Sequence, residues 1–302
     1  MFRLYQTVTD DPYINLAIEA QLFREKKKTV FLWRNRPCVI AGRNQNLYAE
    51  ADLSFAKRNG ILPVRRTTGG GCVYHDHGNL NYSFILPQEE LDRAPQMILQ
   101  ILSLVNIEAE ASGRNDLMIS GRKLGGTAWQ SEDEWVLFHG TLLIETDLEK
   151  MRHVLTPAKL KLASKGISSV RSRVINLKEV CSSLTAEMIC GACEQFFGCE
   201  AMNIEPDERI IKEAEKLRSE KWIFGECADY QAEHDFKTDQ GIMRVCLSVH
   251  DGVISGVTLS HDFMDAAFIP DMEPLKGMLY NPDEIYARIS ALIRGKGLNV
   301  HI

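Results

Sequence analysis

Short β-like runs alternate with helix-spaced apolar runs along the whole chain. Ile14, Ala17, Ile18 and Leu22 recur on one face behind Asp11 and Pro12. Asp caps a helix start, and proline's missing N–H costs nothing there. The spacing predicts a core-packed helix. Lys26, Lys27 and Lys28 beyond it read as a solvated end, where positive charge suits a helix C-terminus. Residues 29–33 and 38–41 read as strands around the turn Arg34-Asn35-Arg36-Pro37, and residues 52–59 as a short helix stopped by Gly60. Leu80, Tyr82, Phe84 and Leu86 alternate with Asn81, Ser83 and Ile85, the pattern of a strand with one buried face. A helix carrying Ile98, Ile101, Leu102 and Val105 is expected next. Asn115 to Ile119 follows as a polar loop entering a strand, then a turn holding Lys123, then a long strand from Trp135 to Glu145.

Downstream, residues 187–197 and 208–219 read as helices, the second more charged. Met243, Val245, Leu247 and Val249 alternate as a strand, Asp251-Gly252 is a hairpin turn, and residues 253–259 pair back. Pro282 to Arg294 reads as a final amphipathic helix. The expected fold class is α+β, a mixed β-sheet flanked by helices with a small C-terminal α+β domain. A composition change after Trp222-Ile223-Phe224-Gly225 divides the chain into 1–224 and 235–302. The Lys-, Ser- and Arg-rich stretch from Leu155 to Arg173 reads as an exposed, mobile loop.

Composition narrows the classes. At 45% apolar over 302 residues the chain suits one large or two smaller globular domains, and no apolar run reaches the roughly 18 residues of a membrane span. Lys plus Arg number 35 against 41 Asp plus Glu, for a formal charge of −6, which argues against a dominant nucleic-acid surface. The first residues do not resemble a signal peptide, so the eight cysteines are expected to be reduced thiols and the compartment to be cytoplasmic. The motifs of P-loop, dinucleotide-binding, serine-hydrolase and zinc-protease enzymes are missing.

The chemistry centres on Val64-Arg65-Arg66-Thr67-Thr68-Gly69-Gly70-Gly71-Cys72-Val73-Tyr74-His75-Asp76. Three glycines let a ligand lie on the main chain, and successive N–H groups there can form a concave anion site. Arg66 can grip the same anion with two parallel hydrogen bonds. The physical reading is a phosphate or carboxylate site. Lys123, among glycines and short residues, can bring its ammonium close to a ligand. His75-x-His77 has metal-like spacing but lacks an assignable third ligand. Cys190-Gly191-Ala192-Cys193 has redox-motif spacing but falls in an apolar helix, which favours structural thiols.

The block from Arg65 to Asp76 with Gly78-Asn79, the block Gly121-Arg122-Lys123-Leu124-Gly125-Gly126-Thr127-Ala128, and the block His139-Gly140-Thr141-Leu142-Leu143 resemble the lipoate–protein ligase family. Pro37 through Asn46, Asn115-Asp116 and Lys165 through Val174 also match, in the family's order. The resemblance implies a biotin/lipoate ligase-like fold, related to class II aminoacyl-tRNA synthetases, and ATP-dependent formation of lipoyl-AMP. The lipoyl group then passes to a lysine of a lipoyl-carrying domain. Such acceptors belong to 2-oxoacid dehydrogenase complexes or are the glycine cleavage H protein.

By residue-by-residue transfer, Lys123 is the catalytic lysine contacting both lipoate carboxyl and nucleotide phosphate. Arg66, Gly71, Cys72, Val73, Tyr74, Asn115 and Asp116 are expected to meet ATP. Gly70, His75, Tyr82 and His139 join Lys123 around lipoate, with the Gly125-Gly126 backbone in the tunnel wall, and Asp116 is the carboxylate expected beside Mg²⁺. His75 is also considered as a general base toward the acceptor amine. The rivals on this fold are an octanoyl or lipoyl transferase using a nucleophilic cysteine, and an enzyme performing only the second step from lipoyl-AMP. From another class, the rival is a non-catalytic lipoate- or adenylate-binding module. The stretch from Lys123 to Leu143 contains no cysteine, which disfavours the thioester route.

Overall fold

Asp11 accepts hydrogen bonds from the backbone N–H groups of Tyr13 and Ile14 and so opens α1 (Pro12–Arg24), the helix its Asp-Pro pair predicts. The computed structural model describes residues 1–112, 115–155, 174–226, 229–263 and 266–301. Matched to the Leu155–Arg173 stretch, the sequence-based loop expectation therefore lies almost wholly outside the described residues, as does most of the Lys165–Val174 block. Two compact units emerge, one from Met1–Arg43 with Ala49–Ser219, the other from Asn44–Tyr48 with Glu220–Ile302.

In chain order the first unit carries β1 (Arg3–Thr7), α1, β2 (Thr29–Trp33) and β3 (Cys38–Ala41). After α2 (Leu47–Glu50), which straddles the division, come α3 (Leu53–Arg58), β4 (Leu62–Arg65), β5 (Val73–His75), β6 (Asn79–Pro87) and α4 (Ala94–Ser103). Then come β7 (Glu110–Ser112), β8 (Asp116–Ile119), β9 (Arg122–Glu132), β10 (Trp135–Leu143) and α5 (Leu148–Val154). The unit closes with α6 (Ala186–Phe197), β11 (Met202–Ile204) and α7 (Glu208–Arg218). Eight strands form a mixed sheet in the order β11-β1-β2-β6-β10-β9-β8-β7. β11, β1 and β2 run parallel, and the rest of the sheet is antiparallel. β4-β3-β5 form a separate three-stranded sheet.

One face of the large sheet is an apolar core. Val30, Leu32, Leu80, Tyr82, Phe84 and Phe138 pack there with Ile98 and Ile101 of α4 and Ile189 and Ala192 of α6. The opposite face was expected to be the exposed side of β6, yet Asn81 and Ser83 are as buried as their apolar neighbours. The reason is polar pairing: Asn81 Nδ2 donates to the Trp33 carbonyl and Ser83 Oγ donates to Glu19 of α1. Buried polar groups persist only when hydrogen-bonded, and these are.

Two further expectations change. β2 and β3 flank the predicted turn but enter different sheets, because β3 pairs with β4 and β5 instead. Lys123 lies in β9 rather than in a turn; the turn is Ser120-Gly121, both with positive φ. β9 is hard to read from sequence because its Gly125-Gly126 step and polar residues mask the alternation.

The second unit contains β12 (Tyr230–Thr238), β13 (Gly241–His250), β14 (Val253–His261), α8 (Pro282–Gly295) and β15 (Val300–His301), with sheet order β14-β13-β12-β15. The predicted hairpin turns on Asp251 and Gly252 at φ 49° and 74°, as a primed turn requires. Met243, Val245, Leu247 and Val249 are buried against Ile285, Ile289 and Ile293 of α8. Among the described residues no helix is long and apolar enough to cross a membrane.

Candidate active site

Register carries one line of residues across the large sheet. Trp33 of β2 pairs with Asn81 of β6, and Asn81 pairs with Thr141 of β10. Thr141 Oγ1 accepts from the Gly126 N–H of β9, and Gly126 pairs with Asp116 of β8. Directly opposed strand residues share a face, and strands sit about 4.8 Å apart, so this row spans roughly 19 Å. It floors a cavity of about 470 Å³, whose walls include Leu16, Ile40, Arg66, the Gly70–Val73 loop, His75 and His139. One end meets Lys123 and Asp116; the other reaches Trp33.

At the first end Lys123 Nζ lies 2.6 Å from Asp116 Oδ1, and each side chain is about two-fifths exposed, 38% and 40%. Gly126 makes room for this pair, since a Cβ there would come within 3.2 Å of the ammonium. A half-exposed ion pair contributes only about 0–1 kcal/mol. An incoming anion can therefore take the lysine from the aspartate at little cost.

The glycine loop is built differently. Gly42 faces its tip so closely that a Cβ would stand 2.3 Å from the Gly70 carbonyl oxygen, and Gly70 itself has φ +95°. Arg66 was expected to grip the ligand, but its donors are turned inward. Nη2 donates to the carbonyls of Gly69 and Gly71 at 2.6 and 2.8 Å, Nη1 to Ile40 at 3.2 Å, and Nε to Thr68 Oγ1 at 3.0 Å. Its guanidinium reaches the ligand space as a buried positive charge behind the loop. Burial pushes its pKa down to about 10, which still leaves it charged at neutral pH.

His139 and His75 occupy the same wall by different means. His139 Nδ1 lies 2.9 Å from Glu19 Oε1, and its Nε2 lies 2.9 Å from Thr68 Oγ1. His75 Nδ1 faces Asn35 Nδ2 at 3.2 Å, and Asn35 Oδ1 accepts from Asn15 Nδ2. With its oxygen engaged by Asn15, the Asn35 amide donates to His75, so Nδ1 is the acceptor and the proton sits on Nε2. Burial, then the charges of Arg66 and His139, push the His75 pKa down to about 3. A base so weakened by burial is poorly suited to accept a proton from an amine, which argues against the general-base idea.

The other expected residues sort by strand alternation. Gly70, Gly71, Cys72, Val73, Asn115 and Asp116 line the cavity with Lys123, Gly126, His75 and His139. Tyr82 does not. It faces the apolar core with α4 on the far side of the sheet, its hydroxyl beneath Gly140, where a Cβ would come within 2.3 Å. Tyr74 likewise alternates away from Val73 and His75 and is buried outside the cavity. Gly125 also stays outside the lining, its α-carbon pressed on the Thr141 carbonyl. The residues not anticipated are Glu19, Trp33, Thr68, Asn81 and Thr141. For Glu19 and Asn81 the sequence signal is polarity inside an apolar run, as with Glu19 directly after Ile18; Trp33 and Thr68 carry no such signal.

His77 is exposed and bonded to Asp10 at 2.9 Å while His75 is buried, so their spacing makes no metal site. Among the described residues no group of three or more His, Cys, Asp or Glu is arranged to hold a metal. Asp116 alone suits a Mg²⁺ carried chiefly by phosphates, since such an ion needs only one or two carboxylates. Cys190 and Cys193 are unpaired, with thiol pKa values raised by burial, to about 11 for Cys190. Inert structural thiols fit that chemistry.

Residues 11–198 match the lipoyl protein ligase A/B catalytic domain. A lipoate-protein ligase A of Bdellovibrio bacteriovorus is 34% identical over 97% of this chain and 92% of its own length. The crystal structure of P. falciparum LipL1 in complex with lipoate superposes with a TM-score of 0.66 at 26% identity, covering 100% of this chain and 96% of that one. A lipoate-protein ligase A bound with ATP shares the fold at a TM-score of 0.60 and 23% identity, over 73% of this chain and 94% of that one.

Proposed function

The chain belongs to the lipoyl protein ligase A/B catalytic-domain family, and from that premise we propose that it is an ATP-dependent ligase joining lipoate to a lysine of a lipoyl-carrying domain. The observation that carries this reading is the row from Trp33 to Asp116. It gives an apolar acyl chain a floor and sets Lys123 at the end where its carboxylate would lie. A lipoate oxygen attacks the α-phosphorus of ATP, pyrophosphate leaves, and lipoyl-AMP forms. The acceptor's ε-amine then attacks the acyl carbon and AMP departs.

The physical obstacle is that two anions must meet. Lys123 supplies a charge between them once it exchanges Asp116 for the ligand. The Gly70–Cys72 backbone and the buried charge of Arg66 supply a fixed positive field on the nucleotide side. Mg²⁺ bound with the nucleotide would neutralise phosphate charge, with Asp116 as its protein carboxylate. Residues 1–224 carry both half-reactions in this reading, and 235–302 act as the accessory domain. Acceptors are the lipoyl domains of 2-oxoacid dehydrogenase complexes or the glycine cleavage H protein. Pyrophosphate released from Mg·ATP only when lipoate is added, before any acceptor is present, supports the reading. Pyrophosphate release that ignores lipoate contradicts it.

A further inference from the structure

Two features of the cavity share one buried carboxylate. At the Trp33 end the indole N–H donates to Ser83 Oγ at 3.1 Å, and Ser83 Oγ donates to Glu19 Oε1 at 2.5 Å. On the loop side His139 Nδ1 meets that same Oε1 at 2.9 Å, His139 Nε2 meets Thr68 Oγ1, and Thr68 Oγ1 accepts from Arg66 Nε. Arg66 in turn holds the Gly69 and Gly71 carbonyls. Glu19 is 1% exposed, Thr68 1% and Ser83 0%. An unpaired polar atom at such depth is costly, so each member stays where its partners fix it.

We propose that Glu19 is a positioning residue that sets one end and one wall of the acyl cavity, the Trp33 indole through Ser83 and the glycine loop through His139, Thr68 and Arg66. Resting on the ligase reading, this assigns Trp33 to the acyl tail and the loop to the nucleotide. The chemistry required of Glu19 is one acceptor oxygen at one point, because both arms end on Oε1. A carboxylate facing Nδ1 also keeps the proton of His139 on that nitrogen, which fixes the ring's orientation. The arms can be cut separately: Ser83→Ala frees the indole, and Thr68→Val frees Arg66 Nε from the relay.

The test combines kinetics with a readout that needs no activity. Removing one neutral hydrogen bond corresponds to about fivefold. Ser83→Ala should therefore raise KM for lipoate about fivefold with KM for ATP unchanged, and Thr68→Val should do the reverse. Glu19→Ala should raise both. In the double variant Glu19→Ala/Thr68→Val, KM for ATP should be no higher than in the worse single variant, because both cut one arm. Glu19→Gln keeps an oxygen at the Oε1 position and should restore both constants. In the ligand-free protein, NMR should show the Trp33 indole N–H shifted by Ser83→Ala and Glu19→Ala but not by Thr68→Val. The Arg66 Nε–H should be shifted by Thr68→Val and Glu19→Ala but not by Ser83→Ala. Additive losses in the double variant, or equal effects of each arm on both resonances, would overturn the proposal. So would Glu19→Gln as damaging as Glu19→Ala. Because the resonances are read without substrates, a wild-type enzyme inactive toward lipoate would defeat the ligase reading and leave this test standing.

Discussion

The two sides of the cavity are built on opposite terms. On the Arg66 side the charge is buried and held by the protein itself, with four hydrogen bonds from a single guanidinium. On the Lys123 side one ammonium and one carboxylate, each about two-fifths exposed, hold only each other among the described residues. The first arrangement is rigid before any ligand arrives, and the second is cheap to rearrange. Preorganised charge is what stabilises a transition state, whereas a weakly held lysine is free to follow the reacting carboxylate. The cavity thus separates the group that must not move from the group that must.

The largest effect expected is at the loose end. Lys123→Ala should lower lipoate-dependent pyrophosphate release by about 10³-fold, the scale of losing one preorganised donor. Its thermal midpoint should be unchanged, because a half-exposed strand residue holds little of the core. Near-normal release would remove Lys123 from the mechanism.

At the fixed end stability should suffer first. Arg66→Met leaves the Gly69, Gly71 and Ile40 carbonyls without their donor and should cost about 3–5 kcal/mol in urea unfolding, as breaking a buried charged network does. A loss below about 1 kcal/mol, typical of exposed charges, would erase the contrast between the two sides.

His75 sharpens the contrast through pH. Its folded pKa is about 3, below the ordinary 6.5. Between those values the unfolded chain holds the extra proton, so stability from this group is complete above pH 6.5 and is lost as pH falls toward 3. The slope is about 1.4 kcal/mol per pH unit, or roughly 2 kcal/mol between pH 6.5 and pH 5. His75→Phe should flatten that part of the stability–pH curve whatever its effect at pH 7.5. An identical slope in both proteins would show that the imidazole is not buried neutral.

The smallest effect is expected at Cys72. Half-buried in the loop, it lines the cavity, and the family resemblance gives the thioester route no cysteine between Lys123 and Leu143. Cys72→Ala should keep activity within about twofold, because one small side chain replaces another in the same loop. Lost activity together with a hydroxylamine-sensitive acyl-enzyme would favour a cysteine-dependent transferase.

Much of this was legible in the chain, and unevenly so. Asp11-Pro12, the Asp251-Gly252 turn and the alternation of Met243 to Val249 act locally, and they formed what they predict. The glycine loop and Lys123 stood out because runs of glycine beside fixed charges are chemically unusual. Register was not legible. Whether Tyr82 or Asn81 faces the ligand depends on which neighbours cover each side of β6, and both sides turned out to be covered. Glu19 was hidden for the same reason, since its partners Ser83 and His139 lie 64 and 120 residues away.

The most direct measurement mixes the protein with lipoate, Mg·ATP and an unmodified lipoyl domain, then weighs the domain. The expected result is the mass of one lipoyl group on a single lysine, gained only when ATP and lipoate are both present and never with the Lys123→Ala variant. A domain left unmodified under those conditions, or modified from an acyl-carrier donor without ATP, would contradict it.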